Sequence, residues 1–474
     1  MGALSVANIK KTVYYLQRNG LKNTWYAVRE RLSQSKENPY VYEGPSKEAL
    51  EEQRMLVSQR ESAGKYENVD FSIVVPLYHT KPDFLRELIE SIQTQSYPYW
   101  EVVLADATED DSVREVVEMF SDVEFIEDAP KDADAANYGV IRYVHLTSNG
   151  GISANTNAAL PFAKMNYIGL LDHDDILTPD ALYEMAEAVR EAKEQGRDLY
   201  MIYSDEDKCN GDATRYYELN CKEKFNYDLI LSNNYICHFL VMKRELMQKL
   251  QFRPAYDGAQ DYDLVLRAVA ELGIPFHPDR ESLIVHVPKV LYHWRCHEAS
   301  TAENPRSKEY AYEAGRRALQ DYIDVNKISG QVENLKHVGF YQVKYPEDIF
   351  AARKDLGAVG GAIVKRGKIE SGRMDTKGNV FYEGLSAHFS GYLHRAILTQ
   401  SAEVLDIRCI AVRKELHELF EKVTGVIYTS LPGTKIFDAS TLPQDTDYKK
   451  LSVELCAQIH KEGYRLLWDR RENG

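Results

Sequence analysis

The sequence predicts an α/β protein: a mostly parallel sheet with a helical arm before it and a smaller α+β domain after it. Three observations carry this. Short apolar runs alternate with amphipathic stretches from residue 71 to about 205. Several of those runs end in acids, and the first 36 residues differ electrically from everything that follows. At 474 residues and 44% apolar content the chain can bury a large core. The boundaries expected are 1–65 for arm and connector, 66–331 for the sheet domain and 332–474 for the last domain.

The arm comes first. Ile9, Val13 and Leu16, then Leu21, Trp25, Val28 and Leu32, recur at spacings of three and four, which predicts two short helices with one apolar stripe. Asn19-Gly20 marks the break between them. Lys10, Lys11, Arg18, Lys22, Arg29, Arg31 and Lys36 face a single acid, Glu30, so this segment carries +6 in a chain of net -15 and the remainder carries -21. Two readings follow: an arm packed on its own protein, or a helix pair lying on an anionic bilayer, where cations and Trp/Tyr suit the headgroup layer. Residues 46–62 read as a charged connecting helix.

Phe71–Leu77 is an apolar strand, and Pro82 opens a helix to about Gln95. Trp100–Asp106 is a second strand with a helix near 111–121. Ile141–Leu146 is a third, followed by a helix over Ser153–Ala163. Tyr167–Asp172 is a fourth, and Thr178-Pro179 starts a helix to about Lys193. Leu199–Asp205 is a fifth. Continuous apolar strands between helices require a parallel sheet covered on both faces. Beyond 330, Gly357–Val364 is a Gly-rich strand segment and Ser371–Asn379 is turn-rich. Leu451–Gly463 is helical, and Tyr464–Trp468 is the closing strand.

Composition excludes several classes. The acidic balance argues against nucleic-acid binding. No uncharged apolar run approaches the ~18 residues of a membrane helix, and no apolar signal core heads the chain, so a cytoplasmic protein is expected. Cys209, Cys221, Cys237, Cys296, Cys409 and Cys456 form no Cys-x-x-Cys pair, as in a reduced protein without a zinc site.

Ligands of open α/β sheets gather at the strands' carboxyl ends. Here those ends carry Asp106, Asp172-His173-Asp174-Asp175 and Asp205-Glu206-Asp207. Carboxylates crowded on one edge repel each other unless a cation offsets them. An Asp-x-Asp turn after a strand suits a hard divalent ion that also holds a diphosphate.

Six stretches then carry a family resemblance: Phe-Ser-Ile-Val-Val-Pro-Leu-Tyr (71–78), Ser-Asn-Gly-Gly-Ile-Ser-Ala-Asn-Thr-Asn-Ala-Ala-Leu (148–160), Leu-Leu-Asp-His-Asp-Asp (170–175), Tyr-Ser-Asp-Glu-Asp-Lys (203–208), Gly-Ala-Gln-Asp-Tyr-Asp-Leu (258–264) and Tyr-His-Trp-Arg (292–295). In order and spacing they resemble a family 2 glycosyltransferase of GT-A fold, of the bacterial rhamnan and O-antigen polysaccharide type. The likeness covers about 71–325.

The resemblance implies an inverting, metal-dependent transfer from a dTDP- or UDP-linked sugar, rhamnose or a hexose, to a polysaccharide or polyprenyl-pyrophosphate-linked acceptor. It places Pro76, Tyr78, Asp106, Asn149, Gly151, Asn157 and Asp172 on the nucleotide sugar. Asp172, Asp174 and His293 would hold Mn²⁺ or Mg²⁺, with His297 competing with His293. Asp261 would be the general base, needed because a sugar hydroxyl is a poor nucleophile at neutral pH. Gln260, Trp294 and Arg295 would lie on the acceptor side. Thr156 stands where many relatives have Arg, and Gln260 where they have an acid, so those contacts do not transfer. Residues 357–364 and 453–465 resemble the acceptor-side half of a degenerate second domain.

The location implied is cytoplasmic, peripheral at the inner membrane face, with a homodimer among the expected partners. A nucleotidyltransferase would need a Gly-rich phosphate loop where Tyr78-His79-Thr80-Lys81 stands. A non-catalytic nucleotide-sugar scaffold would have no need of Asp261.

Overall fold

The computed structural model describes residues 6–34, 40–63, 69–126, 137–297 and 309–470. Lys36 of the basic arm lies outside them, and so do the side chains of Ile9, Lys10 and Lys11. The arm is one long element, α1 (Val6–Gln34), whose backbone leaves helical geometry at Gly20 (φ 75°), so the break falls where the Asn-Gly pair puts it. The connecting helix α2 (Lys47–Ser62) is capped by Ser46, whose hydroxyl accepts from the Ala49 amide at 3.2 Å.

The sheet domain then alternates: β1 (Phe71–Leu77), α3 (Pro82–Gln93), β2 (Trp100–Asp106), α4 (Ser112–Val117), β3 (Val123–Ile126), β4 (Val140–His145), α5 (Ile152–Ala159), β5 (Tyr167–Leu170), β6 (Ile176–Leu177), α6 (Ala181–Glu194) and β7 (Met201–Asn210). It continues through β8 (Tyr216–Asn220), α7 (Tyr227–Ile230), β9 (Leu240–Lys243), α8 (Arg244–Leu250), α9 (Gln260–Glu271), β10 (Ile284–Cys296) and α10 (Glu309–Val325).

The strand order is β3-β4-β2-β1-β5-β9-β7-β10-β6, with β8 paired to β7. From β3 to β5 every pair is parallel. Beyond β5 the sheet is mixed: β9 runs antiparallel to β5 and β7, β10 is parallel to β7, and β6 is antiparallel to β10. The five strands expected from the sequence all run in one direction, as in a mostly parallel sheet; the unexpected element is β9, inserted antiparallel between the fourth and fifth. The strand β3 was not anticipated either. It is four residues long and half-buried at the sheet's edge, too short to show a period. The helix read over Ser153–Ala163 ends at Ala159, because Pro161 cannot continue it and a 3₁₀ turn follows.

Apolar side chains fill both faces of the sheet. One layer packs Val74, Val103, Ile168 and Met242 under α5, α9 and α10, and the other packs Phe71, Ile73, Val75 and Val102 under α3 and α6. The hairpin of β11 (Gln331–Asn334) and β12 (Tyr341–Lys344) joins the first of these cores through Val332, Tyr341 and Val343. A separate core at the C-terminus surrounds a four-stranded sheet ordered Gln400–Ala402, Arg465–Trp468, Leu356–Gly360 and Ile410–Val412. Buried charge links it to the large domain: Arg353 donates to Asp228 at 2.7 Å, and Arg465 reaches Glu281 at 2.6 Å.

The arm packs on its own protein, but not through the second half of its apolar stripe, where Leu21, Trp25, Val28 and Leu32 are exposed. Buried Glu30 accepts from the Ser390 amide and hydroxyl at 3.0 Å and the Gly391 amide at 2.6 Å. Tyr26 stacks on His388 at 4.3 Å, and Asn19 donates to the Lys336 carbonyl. All six cysteines are free.

Candidate active site

One cavity of about 880 Å³ opens above the carboxyl ends of β1 and β5 and reaches the N-terminus of α9. Its size is that of a ligand pocket, and it collects side chains from eight separate stretches of sequence.

At one end, β1 delivers Pro76 and Tyr78 to the wall. Beside them is the turn before α5, ordered by its own amides: Asn149 Oδ1 accepts from the Gly151 amide and from Asn155 Nδ2, both at 3.0 Å. Gly151 sits at φ 89°, and a Cβ there would come within 2.9 Å of Asp257 Oδ2, so no other residue fits without strain. Asn155 lines the cavity, whereas Asn157 does not. Residues two positions apart on a helix point to opposite sides, and Asn157 is spent on the backbone of Phe252, donating at 2.8 Å and accepting at 2.7 Å.

The acid turn after β5 divides its carboxylates. Asp172 and Asp174 line the cavity; Asp175 turns inward, accepting from Tyr292 Oη at 2.5 Å and the Arg295 amide at 2.7 Å. Burial raises the Asp172 pKa, with Asp174 and Asp261 adding to it and His238 opposing. Burial likewise pushes Asp175 well above the ordinary carboxylate range, reinforced by Asp174 and Asp172. Asp174 faces His297 Nε2 at 2.9 Å.

Asp261 opens α9 on the cavity wall. Asn234 Nδ2 donates to its Oδ2 at 2.7 Å, fixing the carboxylate's orientation. Gln260 is beside it and accepts from the Gly258 amide at 2.8 Å. Trp294 closes one wall, and Tyr312, Phe340 and Tyr341 another.

Four residues expected at the site lie off the cavity wall. Asp106 is buried at the end of β2, accepting from the Thr108 amide at 2.9 Å and Tyr143 Oη at 2.6 Å. Asn157 is the second. His293 and Arg295 have one physical reason between them. In β10 alternate side chains face opposite ways. Trp294 faces the cavity, so its neighbours on either side face away. His293 is buried with Nδ1 at 2.5 Å from Asp207. Arg295 is a fully buried clamp beneath the acid turn, donating to the Asp174 and Gly211 carbonyls and paired with Glu87 at 2.6 Å. The placement of His293 among metal ligands, and of Arg295 beside an acceptor, does not match this geometry.

Among the imidazoles on the cavity wall, His297, the expected competitor of His293, faces Asp174, and His238, which no motif announced, lies beside Asp172. His238 stacks on Tyr292 at 4.7 Å, lies 3.1 Å from Glu206 and places Nε2 3.7 Å from Asp172. Burial works against its charged form, yet Cys237 and Glu206 outweigh it and hold its pKa well above the ordinary value. Burial also opposes the Glu206 anion, but Lys222 and His238 hold its pKa far below the usual range. Ligand atoms of Asp172, Asp175 and His238 lie within 4.8 Å of one another. Two carboxylates and an imidazole form an oxygen-rich donor set of the kind Mg²⁺ and Mn²⁺ accept. Asp175 is already committed to Tyr292 and Arg295. The only sequence signal for this loop was Asn233-Asn234, a polar pair inside an apolar run.

Residues 72–251 match the family described as Glycosyl transferase family 2. The uncharacterized protein y4gI of Sinorhizobium fredii is 38% identical over 254 residues, covering 53% of this chain and 25% of that protein. The O-antigen biosynthesis protein RfbC of Myxococcus xanthus is 29% identical over 299 residues, 63% of this chain and 21% of that one. The putative colanic acid biosynthesis glycosyl transferase WcaA of Escherichia coli is 25% identical over 221 residues, 46% and 72% of the two chains. The match thus spans a quarter or less of the first two relatives.

Proposed function

From the premise that residues 72–251 are a glycosyl transferase family 2 domain on a GT-A-type sheet, we propose that this chain transfers a sugar from a nucleotide-diphosphate donor to a hydroxyl of a growing cell-surface polysaccharide. The observation that carries the reading is a single cavity lined by both the Asp172–Asp174 turn and an oriented carboxylate, Asp261, which His238 and Cys237 link side by side. The acid turn suits a diphosphate, and Asp261 a hydroxyl that must lose a proton. The names of RfbC and WcaA support a polysaccharide as the acceptor class.

In this reading Pro76 and Tyr78 cradle the nucleotide, and the amide-ordered turn at Asn149–Gly151 lies against the sugar or its phosphates. The acceptor oxygen attacks the anomeric carbon from the face opposite the diphosphate. Its proton passes to Asp261 as the new C–O bond forms, and the electron pair of the old C–O bond leaves with the nucleoside diphosphate, inverting the centre. Asn234 aims Asp261, and Gln260 and Trp294 flank the incoming hydroxyl. Asp172, Asp174 and His238 are the residues that would hold Mn²⁺ or Mg²⁺, which when bound neutralises the leaving diphosphate. A dTDP- or UDP-linked rhamnose or hexose is the donor class, and a polyprenyl-pyrophosphate-linked glycan is the acceptor. Among the described residues no helix is long and apolar enough to cross a membrane, so a lipid-linked acceptor would be met from the membrane's surface.

Calorimetry with UDP- and dTDP-sugars and Mn²⁺ tests the donor end. Asp172→Asn should weaken metal-dependent donor binding at least about tenfold, as loss of a metal-site group does. Equal affinity in wild type and variant would contradict the assignment.

A further inference from the structure

The second half of the arm is mounted the wrong way round for a helix of a water-soluble domain. An amphipathic helix ordinarily turns its apolar stripe to the core and its charges outward. Here Leu21, Trp25 and Val28 form the stripe, in line with Leu32, and they are 80%, 56%, 41% and 53% exposed. Glu30, on the opposite side of the helix, is buried against Ser390 and Gly391, and Tyr26 is stacked on His388. The polar side docks, and the apolar side faces water.

The exposed side is bordered by charge of one sign. Lys22 and Arg29 flank the stripe on one edge, Arg31 on the other, and all three are exposed. Arg29 also lies over the Trp25 ring at 5.2 Å. These cations belong to a segment of +6 on a chain of net -15.

We infer that residues 21–32 are an interfacial anchor that lays its apolar row into an anionic lipid bilayer. Two features choose lipid over protein. A two-fold pairing of the helix with a second copy would set each cation border beside its like. The row, about 16 Å long, also falls well short of the ~800 Å² per partner of a stable interface. A bilayer supplies hydrocarbon for Leu21 and Val28, a headgroup layer for Trp25 and counter-charge for the cations. The anchor adds a place to the proposed reaction. Tyr14 and Arg18, in the half of α1 before the break at Gly20, line a second cavity of about 590 Å³ that shares Tyr312 with the main one. The bilayer contact therefore lies on the segment next to the one that borders the main cavity.

Flotation of the full chain with vesicles tests this without requiring sugar transfer, so it stands or falls apart from the glycosyltransferase reading. The wild type should float with phosphatidylcholine vesicles containing about 30% phosphatidylglycerol and not with phosphatidylcholine alone. L21E/W25E should lose at least tenfold in partitioning, and K22E/R29E should lose most of the dependence on anionic lipid. Both variants alter exposed positions and should melt like the wild type. No flotation of the wild type with anionic vesicles, or equal flotation of L21E/W25E, would overturn the inference. So would a wild-type dimer in light scattering that L21E/W25E dissolves, since the row would then belong to a second copy.

Discussion

Arg353→Met tests how the two cores are joined, because this guanidinium sits at the centre of the buried charge between them. Arg353 donates to Asp228 at 2.7 Å, to both oxygens of Asp355 at 2.8 and 2.7 Å, and to Tyr345 Oη at 2.9 Å. Arg465 shares Asp355 at 2.9 Å, and Ser401 of the C-terminal sheet donates to Asp228 at 2.7 Å. Methionine fills much of the volume but leaves Asp228 buried without its cation and halves the positive charge on Asp355. Breaking such a pair on one side costs about 3–5 kcal/mol, a large part of a folded protein's margin. The pH dependence has a definite sign. Burial opposes the Asp355 anion, but Arg353 and Arg465 prevail and lower its pKa from 3.8 to about 2. A depressed carboxylate stabilises the fold above its unfolded value and loses that contribution as pH falls through the folded one. The wild type should therefore lose stability between about pH 4 and pH 2, and the gap to the variant should narrow over that window. Urea denaturation followed by tryptophan fluorescence reads it directly, since Trp468 is buried in the C-terminal core. A loss under about 1 kcal/mol at pH 7, or a gap that widens in acid, would refute the reasoning.

Gly151→Ala should weaken nucleotide-sugar binding about tenfold, because strain at φ 89° and the approach to Asp257 Oδ2 displace the turn; donor calorimetry checks it, and an unchanged constant would speak against the turn's role. His238→Ala and His293→Ala should differ in kind. The first should reduce Mn²⁺-dependent donor affinity, beyond any loss of melting temperature from its Glu206 pair. The second should lower the melting temperature, through loss of the buried Asp207 pair, and leave donor affinity near wild type. The reverse pattern would return His293 to the metal site.

The strands β1, β2, β4, β5 and β7 could be read because each is a largely apolar run ending in a turn or an acid, as a two-sided buried strand requires. Val123–Ile126 could not, being short and half-exposed. At the site, residues on turns were easier to place than residues on periodic elements. Asp172, Asp174, Asn149 and Gly151 lie where local chain geometry alone presents them to the cavity. Within Tyr-His-Trp-Arg and Asn-Thr-Asn the period decides, and a strand or helix presents only some of adjacent residues, so His293, Arg295 and Asn157 point elsewhere. The alternation was available from sequence once 284–296 is seen as a strand, but Pro288 and its uneven polarity obscure it. His238 was not available, since only the insertion of β9 between β5 and β7 brings it to Asp172. The arm's stripe was legible, and its direction was not, because periodicity shows that a face is apolar without showing what it meets.

The central claim rests on one proton acceptor. Asp261→Asn keeps the shape and leaves the side-chain carbonyl free to accept from Asn234, so donor binding should match the wild type. Loss of the base should lower kcat about 10²- to 10⁴-fold, measured as nucleoside diphosphate released in step with product glycan. A variant that keeps the fold and the donor affinity yet turns over within about threefold of wild type would contradict the account.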